Sequence, residues 1–338
     1  MTLIDIFTEA EKLNASDIHL AGGKYPMFRI CGNIVPCRLR IISEDELCAI
    51  EKDLMLTPTY ARVIDIGSYN SLFRIVLSYS VNGINLAVRL LSKHALSLDE
   101  LHLPSELHNI AKSTSGLFLL AGATGSGKST TAVSILKIAL ERQIHLVTLE
   151  NPIEYQFTSE KSFITQQEFG RDFNSFAAAA SHAMYQDPDV IYFGELNDYN
   201  TVATALSLAE TGHFVIGTIH ARGAAESISR VVDIFESTRQ DFVRQQLASC
   251  LRGVFWQELI SGSDGRVPLY ELLQTTTAIR GAISQNKPAQ AVRGDLHNMS
   301  SCISRIESAQ SLRKLGVSIE AINQHLTDAE RTILLSKK

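Results

Sequence analysis

The 338 residues carry 31 Lys and Arg against 36 Asp and Glu, a formal net charge of −5, with 45% hydrophobic and 20% charged residues. That length allows two domains that each bury a core, and the charge leaves no bulk cationic field to draw in nucleic acid or acidic lipid. No apolar run approaches the roughly 18 residues of a membrane span. The N-terminal Met1–Phe7 runs at once into Glu9, Glu11 and Lys12, the pattern of an amphipathic helix and not of a signal peptide. The five cysteines (Cys31, Cys37, Cys48, Cys250, Cys302) are odd in number and include no C-x-x-C pair. Cys31 and Cys37 flank a hairpin pattern that would allow a bridge, but none is expected there. The set as a whole, together with the nucleotide-binding pattern at Gly122–Thr130, points to thiols in a reducing cytoplasm.

In chain order, residues 1–13 read as a helix with Leu3, Ile6, Phe7 and Ala10 on one face. Asp17–Leu20 reads as a short strand, and Met27–Ile30, the turn Cys31-Gly-Asn and Ile34-Val35 as a hairpin. Ser43-Glu-Asp-Glu46 is a capping box that opens a helix through about Leu56. Strands follow at 71–80, carrying Arg74, and at 84–91, carrying Arg89, joined across Val81-Asn-Gly. Residues 1–92 therefore form a small α+β domain with an antiparallel sheet. From 93 to 115 the pattern loosens around Pro104, as expected of a linker.

Beyond it strands and helices alternate: strand 117–121, helix 128–141, strand 144–149, helix 174–184, strand 190–193, helix 199–210 and strand 214–219. Alternation of this kind implies an α/β, doubly wound, mostly parallel sheet with ligand chemistry at the carboxyl ends of its strands. From about Thr238 the chain reads as mainly helical, and Ile303, Ile306, Leu312, Leu315, Ile319 and Ile322 keep helical spacing in the tail.

Between the first strand and first helix of this second domain lies Gly122-Ala-Thr124-Gly125-Ser126-Gly127-Lys128-Ser129-Thr130. It fits G-x-x-x-x-G-K-[ST] in the strand–loop–helix setting that the motif requires. The glycines let backbone N–H groups turn towards phosphate oxygens, and the helix N-terminus adds a favourable dipole. Lys128 would reach the β- and γ-phosphates, and the Ser129 hydroxyl would help hold Mg²⁺. The chain is thus read as binding a nucleoside triphosphate.

Three later segments add chemistry. Asp189–Glu195 is a short apolar strand ending in an acid, the form of a Walker-B element on the strand beside the phosphate loop, where the carboxylate would position water or a water-borne Mg²⁺. Thr148–Glu154 places Glu150 and Glu154 after another apolar strand, either as a base or water-orienting group or as two acids on a solvated loop. His213 and His220 bracket a strand, and seven extended residues span ~23 Å, too far for both to ligate one metal. His220, or Thr218 beside it, is expected at the γ-phosphate; the alternative is a hydrogen-bonded structural histidine. Arg74 and Arg89 are either surface arginines or, if the small domain folds over a nucleotide, phosphate clamps.

With these residues assembled, the chain resembles the PilT family of pilus retraction ATPases, within the type II/type IV secretion ATPase superfamily. The resemblance runs through Ala15-Ser-Asp-Ile-His-Leu20, Phe28-Arg-Ile, the Gly122–Thr130 loop, Thr148–Tyr155 (an aspartate box), Asp187–Glu195, Thr211–His220 (a histidine box) and Ser229–Phe235. It implies a PAS-like N-terminal domain on a RecA-like P-loop ATPase domain (residues 116–338, with a helical C-terminal region), assembled as a homo-hexamer with ATP between the domains at a subunit boundary. It would make Glu195 the Walker-B glutamate, Glu154 the candidate catalytic base, His213 and His220 phosphate-side residues, and Arg74 and Arg89 the arginines that close on the nucleotide. It further implies ATP and Mg²⁺ as ligands and a cytoplasmic location peripheral to the inner membrane, through a pilus platform protein. A RecA-type DNA motor is an alternative, and the net charge of −5 and the lack of a basic-aromatic stripe argue against it and against a direct nucleic-acid partner.

The sequence also departs from that pattern. Asn151 replaces an acid in the aspartate box, Asn197 a charged residue after Glu195, and Ala221 a threonine after His220, while Ala278-Ile-Arg-Gly-Ala-Ile283 only partly matches the retraction motif A-I-R-N-L-I. Hydrolysis is expected to survive these changes. They leave open a transport ATPase of a conjugation or type IV secretion apparatus, or a nucleotide-dependent interaction subunit that hydrolyses little.

Overall fold

A computed structural model describes residues 3–30, 33–58, 61–65, 71–81, 83–92, 95–262, 265–286 and 302–336. The chain forms two units, Met1–Ala95 with Pro152–Gln156, and Leu96–Asn151 with Phe157–Lys338.

The first unit holds α1 (Leu3–Lys12), β1 (Asp17–Ala21), β2 (Met27–Ile30), β3 (Asn33–Pro36), α2 (Glu44–Asp53), β4 (Arg62–Asp65), β5 (Ser71–Ser80) and β6 (Gly83–Ser92). The strands form one antiparallel sheet in the order β3-β2-β1-β6-β5-β4. The expected capping box starts α2, with the Ser43 hydroxyl accepting from the Glu46 amide and the Glu46 carboxylate accepting from the Ser43 amide. Alternation along β5 sends Phe73, Ile75 and Leu77 into the core, where Phe7 of α1 stacks on Phe73 at 4.6 Å between ring centroids. The same alternation puts Arg74 on the other face, opposite Arg89, which in turn lies opposite Asp17. The expected turns through Cys31, Gly32 and Asn82 include residues outside those described. Cys37, Cys48 and Cys250 carry free thiols, and Cys31 is outside the described residues. Burial, helped by the charge of Glu210, pushes the Cys250 thiol up to about 12.

The second unit does not begin after a linker. Leu98, Leu103, Leu107, Ile110 and Ala111 are buried, α3 (Leu107–Ala111) packs on the helix α4 (Lys128–Ala139), and the Ser134 hydroxyl donates to the Leu96 carbonyl. The loosened pattern at 93–115 is thus packed structure from Leu96 onward; isolated leucines among polar residues were enough to seat it against α4.

Its sheet is built from β7 (Gly116–Ala121), β8 (His145–Glu150), β9 (Phe163–Glu168), β10 (Val190–Phe193), β11 (Phe214–Ile219), β12 (Leu251–Gly262) and β13 (Gly265–Gln274), in the order β13-β12-β7-β11-β10-β8-β9. All neighbours are parallel except the β12–β13 hairpin. Helices α5 (Phe176–Ala183), α6 (Tyr199–Glu210), α7 (Ala224–Asp233) and α8 (Ser237–Cys250) supply the crossovers, and β7, β10 and β11 are buried along their whole length. Strands 190–193 and 214–219 and helix 199–210 lie at their expected bounds.

Three expectations change here. The region after Thr238 is not mainly helical, because Leu251–Gln274 folds as a long hairpin whose first strand joins the parallel sheet beside β7. Pro268 is tolerated because β13 is an edge strand. The Walker-B strand β10 is not next to the phosphate-loop strand, since β11 lies between β7 and β10. The polar segment Phe163–Glu168 forms an edge strand that its weak apolar pattern did not signal.

Where β12 joins β7, Leu251 lies opposite Leu117 and Gly253 opposite Phe118, so Arg252 is the extra residue of a bulge. The tail then forms α9 (Thr277–Ser284), α10 (Arg305–Lys314), α11 (Ile319–Asn323) and α12 (Asp328–Ser336), with Ile306, Leu312, Ile322 and Leu334 packed on Ile260 and Leu269. Arg280, in the partial retraction motif, points its guanidinium at the carboxyl end of α8, donating to the carbonyls of Ala248, Ser249 and Leu251.

Candidate nucleotide and catalytic site

β7 ends at Ala121, opposite Ile219 of β11, so the Gly122–Thr130 loop and the residue after β11, His220, emerge at the same end of the sheet. β10 ends at Phe193, opposite Gly217, which brings Glu195 to that end as well. Parallel strands whose carboxyl ends open together around a phosphate loop form the usual crevice of such a sheet.

The loop is fitted to an anion. Gly122 and Gly127 have φ of +147° and +89°, and a Cβ at either would come within 2.3 Å of the Gln257 carbonyl or 2.7 Å of its Nε2. No side chain caps the start of α4, so its first N–H groups stay available to a ligand. Ser126 is buried and its Oγ has no hydrogen-bond partner. Lys128 Nζ donates to the carbonyls of Gly122 and Ala123 at 2.9 and 2.8 Å, which holds the ammonium over the loop. Thr124 and Gly125 are exposed at the loop tip, and Ser129 and Thr130 begin α4. These groups suit a polyphosphate, with the Ser129 hydroxyl and the Glu195 carboxylate as hard oxygen donors for Mg²⁺. Beside Gly127 and Thr130 opens a cavity of about 650 Å³, lined by Leu101, His102, Gln257 and Arg266 among others.

Gln257 of β12 went unnoticed in the sequence. It is 2% exposed, its Nε2 donates to the Ser126 carbonyl at 2.6 Å, and its Oε1 accepts from the Thr131 hydroxyl at 2.6 Å. One amide therefore ties the phosphate loop to the first turn of α4. The only sequence signal would have been an apolar strand interrupted by a single amide, and the strand itself was missed. Gln257→Glu places a carboxylate against the Ser126 carbonyl. We expect the ATP Kd to rise about tenfold, equivalent to about 1.4 kcal/mol, while Gln257→Met, which removes both bonds without adding charge, gives a smaller rise. Fluorescent-nucleotide titration of the three proteins checks the order.

Glu195 is held at the strand ends by its neighbours. The Gly194 amide donates to Leu149 O of β8, the Leu196 amide to Thr218 O of β11, and the Thr218 hydroxyl to Gly194 O. Thr218 thus supports the Glu195 turn, which differs from its expected alternative place at the γ-phosphate. His220 Nε2 lies 2.9 Å from Glu195 Oε1, both side chains being about 40% exposed at 41% and 42%. The structure therefore pairs two of the expected catalytic residues directly. Glu150 is buried at the end of β8, accepting from the Thr148 hydroxyl at 2.6 Å and Gln166 Nε2 at 3.2 Å. It is not an acid on a solvated loop.

His213 does not join this group. It precedes β11, its carbonyl accepts from the Gly116 amide at the start of β7, and its Nδ1 lies 3.1 Å from Leu208 O. It thus sits at the amino end of the parallel strands, the opposite end of β7 from the loop, so within this chain it is a structural histidine and not a phosphate-side residue.

The other expected residues belong to the first unit. Arg74 Nη1 donates to Glu154 Oε1 at 2.9 Å, so the candidate base is ion-paired to a candidate clamp. Arg89 Nε donates to Asp17 Oδ1 at 2.8 Å. Burial pushes the Asp17 carboxyl up, but hydrogen bonds from Arg89 and Ser16 and the charge of Arg89 outweigh it and hold the group below the usual carboxylate range.

A family model described as Type II/IV secretion system protein matches residues 61–323. The chain is 37% identical over 297 residues to the uncharacterized protein YggR of Escherichia coli, covering 86% of this chain and 91% of that one. It is 33% identical over 300 residues to the type IV pilus retraction ATPase PilT of Pseudomonas aeruginosa, covering 86% and 87%. A crystal structure of the pilus retraction motor PilT with bound ADP superposes with a TM-score of 0.87 at 34% identity, covering 97% of this chain and 98% of that one.

Proposed function

The chain belongs to the type II/IV secretion system protein family, an ATP hydrolase in which a RecA-like domain follows a PAS-like one along the chain, and from that premise we propose that it is a homo-hexameric motor whose ATP turnover drives retraction of a type IV pilus. In this reading it works at the cytoplasmic face of the inner membrane on a pilus platform protein, and Glu154 serves the chemistry with Arg74 and Arg89 closing on the phosphates. No helix among the described residues is long and apolar enough to cross a membrane, so attachment would run through that partner.

The observation that carries the reading is the Glu195–His220 pair, presented at the strand ends where the phosphate loop also emerges. In hydrolysis a water oxygen attacks the γ-phosphorus, the bond to the ADP oxygen breaks, and the water proton must be accepted. Glu195 has one oxygen on His220 and, as a carboxylate, retains acceptor sites that can orient the water and take its proton. The loop amides and Lys128 hold the phosphates and offset charge on the departing ADP. Ser129 and Glu195 would hold Mg²⁺, which supplies further neutralisation of the β- and γ-oxygens.

Two measurements test the proposal. Light scattering on the purified protein with nucleotide should give six times the 37.2 kDa chain mass. Deletion in the native host should leave piliated cells that cannot retract, restored by the wild-type gene and not by one carrying Lys128→Ala. A monomer in the presence of ATP, or normal retraction in the deletion strain, would overturn it.

A further inference from the structure

The turn that leaves His220 is gripped by three side chains from the C-terminal third of the chain. Trp256 Nε1 of β12 donates to the Ala221 carbonyl at 3.0 Å. Arg305 Nη2 of α10 donates to the Arg222 carbonyl at 3.1 Å. Glu271 Oε2 of β13 accepts from the Ala224 amide at 2.7 Å. That amide opens α7, whose N-cap, Gly223, has no side chain with which to satisfy it, so the β13 carboxylate caps the helix in its place.

The three grips are one assembly. Arg305 lies over the Trp256 indole with its guanidinium carbon 4.2 Å from the ring centroid and pairs with Glu271 at 2.9 Å, the side chains of the pair being 11% and 7% exposed. Glu330 of α12 stands 3.9 Å from Arg305 on another side. The Arg305 guanidinium, held by Glu271, the Arg222 carbonyl and the Trp256 face, thus ties the backbone from Ala221 to Ala224 to β12, β13 and α10.

We propose that Trp256, Arg305 and Glu271 are positioning residues that act through this turn to set the His220 ring against Glu195. The C-terminal helices thereby bear on turnover without touching nucleotide. The inference rests on the assignment of Glu195 and His220 to hydrolysis.

Trp256→Phe is the sharpest probe, because it deletes the indole N–H and keeps an aromatic face under Arg305. We expect kcat for ATP to fall about fivefold, with KM within about twofold, since the interaction is felt through the reacting pair and not in phosphate binding. The melting temperature should fall by a few degrees, as the loss of one hydrogen bond and some ring packing requires. In a His220→Ala background the same substitution should cost nothing further, because residues acting through one another are not additive. Arg305→Lys, which keeps the charge on Glu271 and loses the fork, should lower kcat in the same way.

Hydrogen exchange in nucleotide-free protein reads the turn without reference to turnover: amides from Ala221 to Ala224 should exchange faster in Trp256→Phe and Arg305→Lys than in the parent. Unchanged exchange there, an unchanged kcat, or effects of Trp256→Phe and His220→Ala that multiply would each overturn the inference. Full activity in Glu195→Gln with faster exchange in the turn would instead locate the failure in the assignment of Glu195.

Discussion

Replacing Lys128 by Ala should reduce steady-state ATP hydrolysis by at least ~10²-fold and weaken ATP binding together with it. Lys128 is the only side-chain cation within the Gly122–Thr130 loop. Its Nζ is held over the loop by the Gly122 and Ala123 carbonyls, at the mouth of an uncapped helix. Removing it deletes a full positive charge from the place where β- and γ-phosphate oxygens would gather, and water cannot replace a charge fixed in position. In the folded state the hydrogen bonds to the Gly122 and Ala123 carbonyls, about 1 kcal/mol each, are at the surface of the loop and not in the core. The substitution should therefore leave the melting temperature within a few degrees of the parent. Nucleotide titration, melting and phosphate release, measured on one preparation, separate these effects. Turnover near the parental rate would remove the loop from the chemistry.

Glu195→Gln should behave differently. Its kcat should fall by ~10²–10³-fold while ATP affinity stays within a few-fold. Glutamine keeps the shape, and its amide can still meet His220 Nε2, so the Gly194–Leu196 staple to β8 and β11 is not disturbed. What disappears is the negative charge that orients water and accepts a proton. A pre-formed complex with ATP should accumulate, visible as stoichiometric nucleotide retained through gel filtration without phosphate release. Equal loss of binding and turnover would instead assign Glu195 to holding the nucleotide.

Much of this was legible in the sequence because it is local. A phosphate loop declares itself through glycines and a lysine within a few residues, and the capping box at Ser43–Glu46 or the buried strand at 190–193 needs nothing beyond its own pattern. The resemblance to retraction ATPases added the pairing of functional segments, and Glu195 and His220 do meet. What the sequence hid is set by pairing at long range. The hairpin at 251–274 was missed although Val254–Trp256 and Leu269–Leu273 are apolar, β-prone runs separated by the sequence Gly262-Ser-Asp-Gly265, because helical spacing lies on either side of them. With that strand unread, Gln257 and Trp256 had no visible partners. His213 was misplaced for the converse reason: the motif brackets a strand, and a strand necessarily delivers its two ends to opposite edges of the sheet. The packing of Leu96–Ala111 on the second unit likewise rests on contacts with α4, which no local composition records.

The bulge at Arg252 has a consequence for what β12 can do. Side chains along a strand alternate between faces, so residues of odd and even number serve different neighbours. Even-numbered Trp256 faces the histidine turn, and odd-numbered Gln257 faces the phosphate loop. The extra residue between Leu251 and Gly253 sets that parity against the fixed frame of β7. Deleting Arg252 would remove the bulge and leave Gly253 to Trp256 opposite Phe118 to Ala121, so the indole and the amide would keep their faces and both grips would survive the loss of that residue.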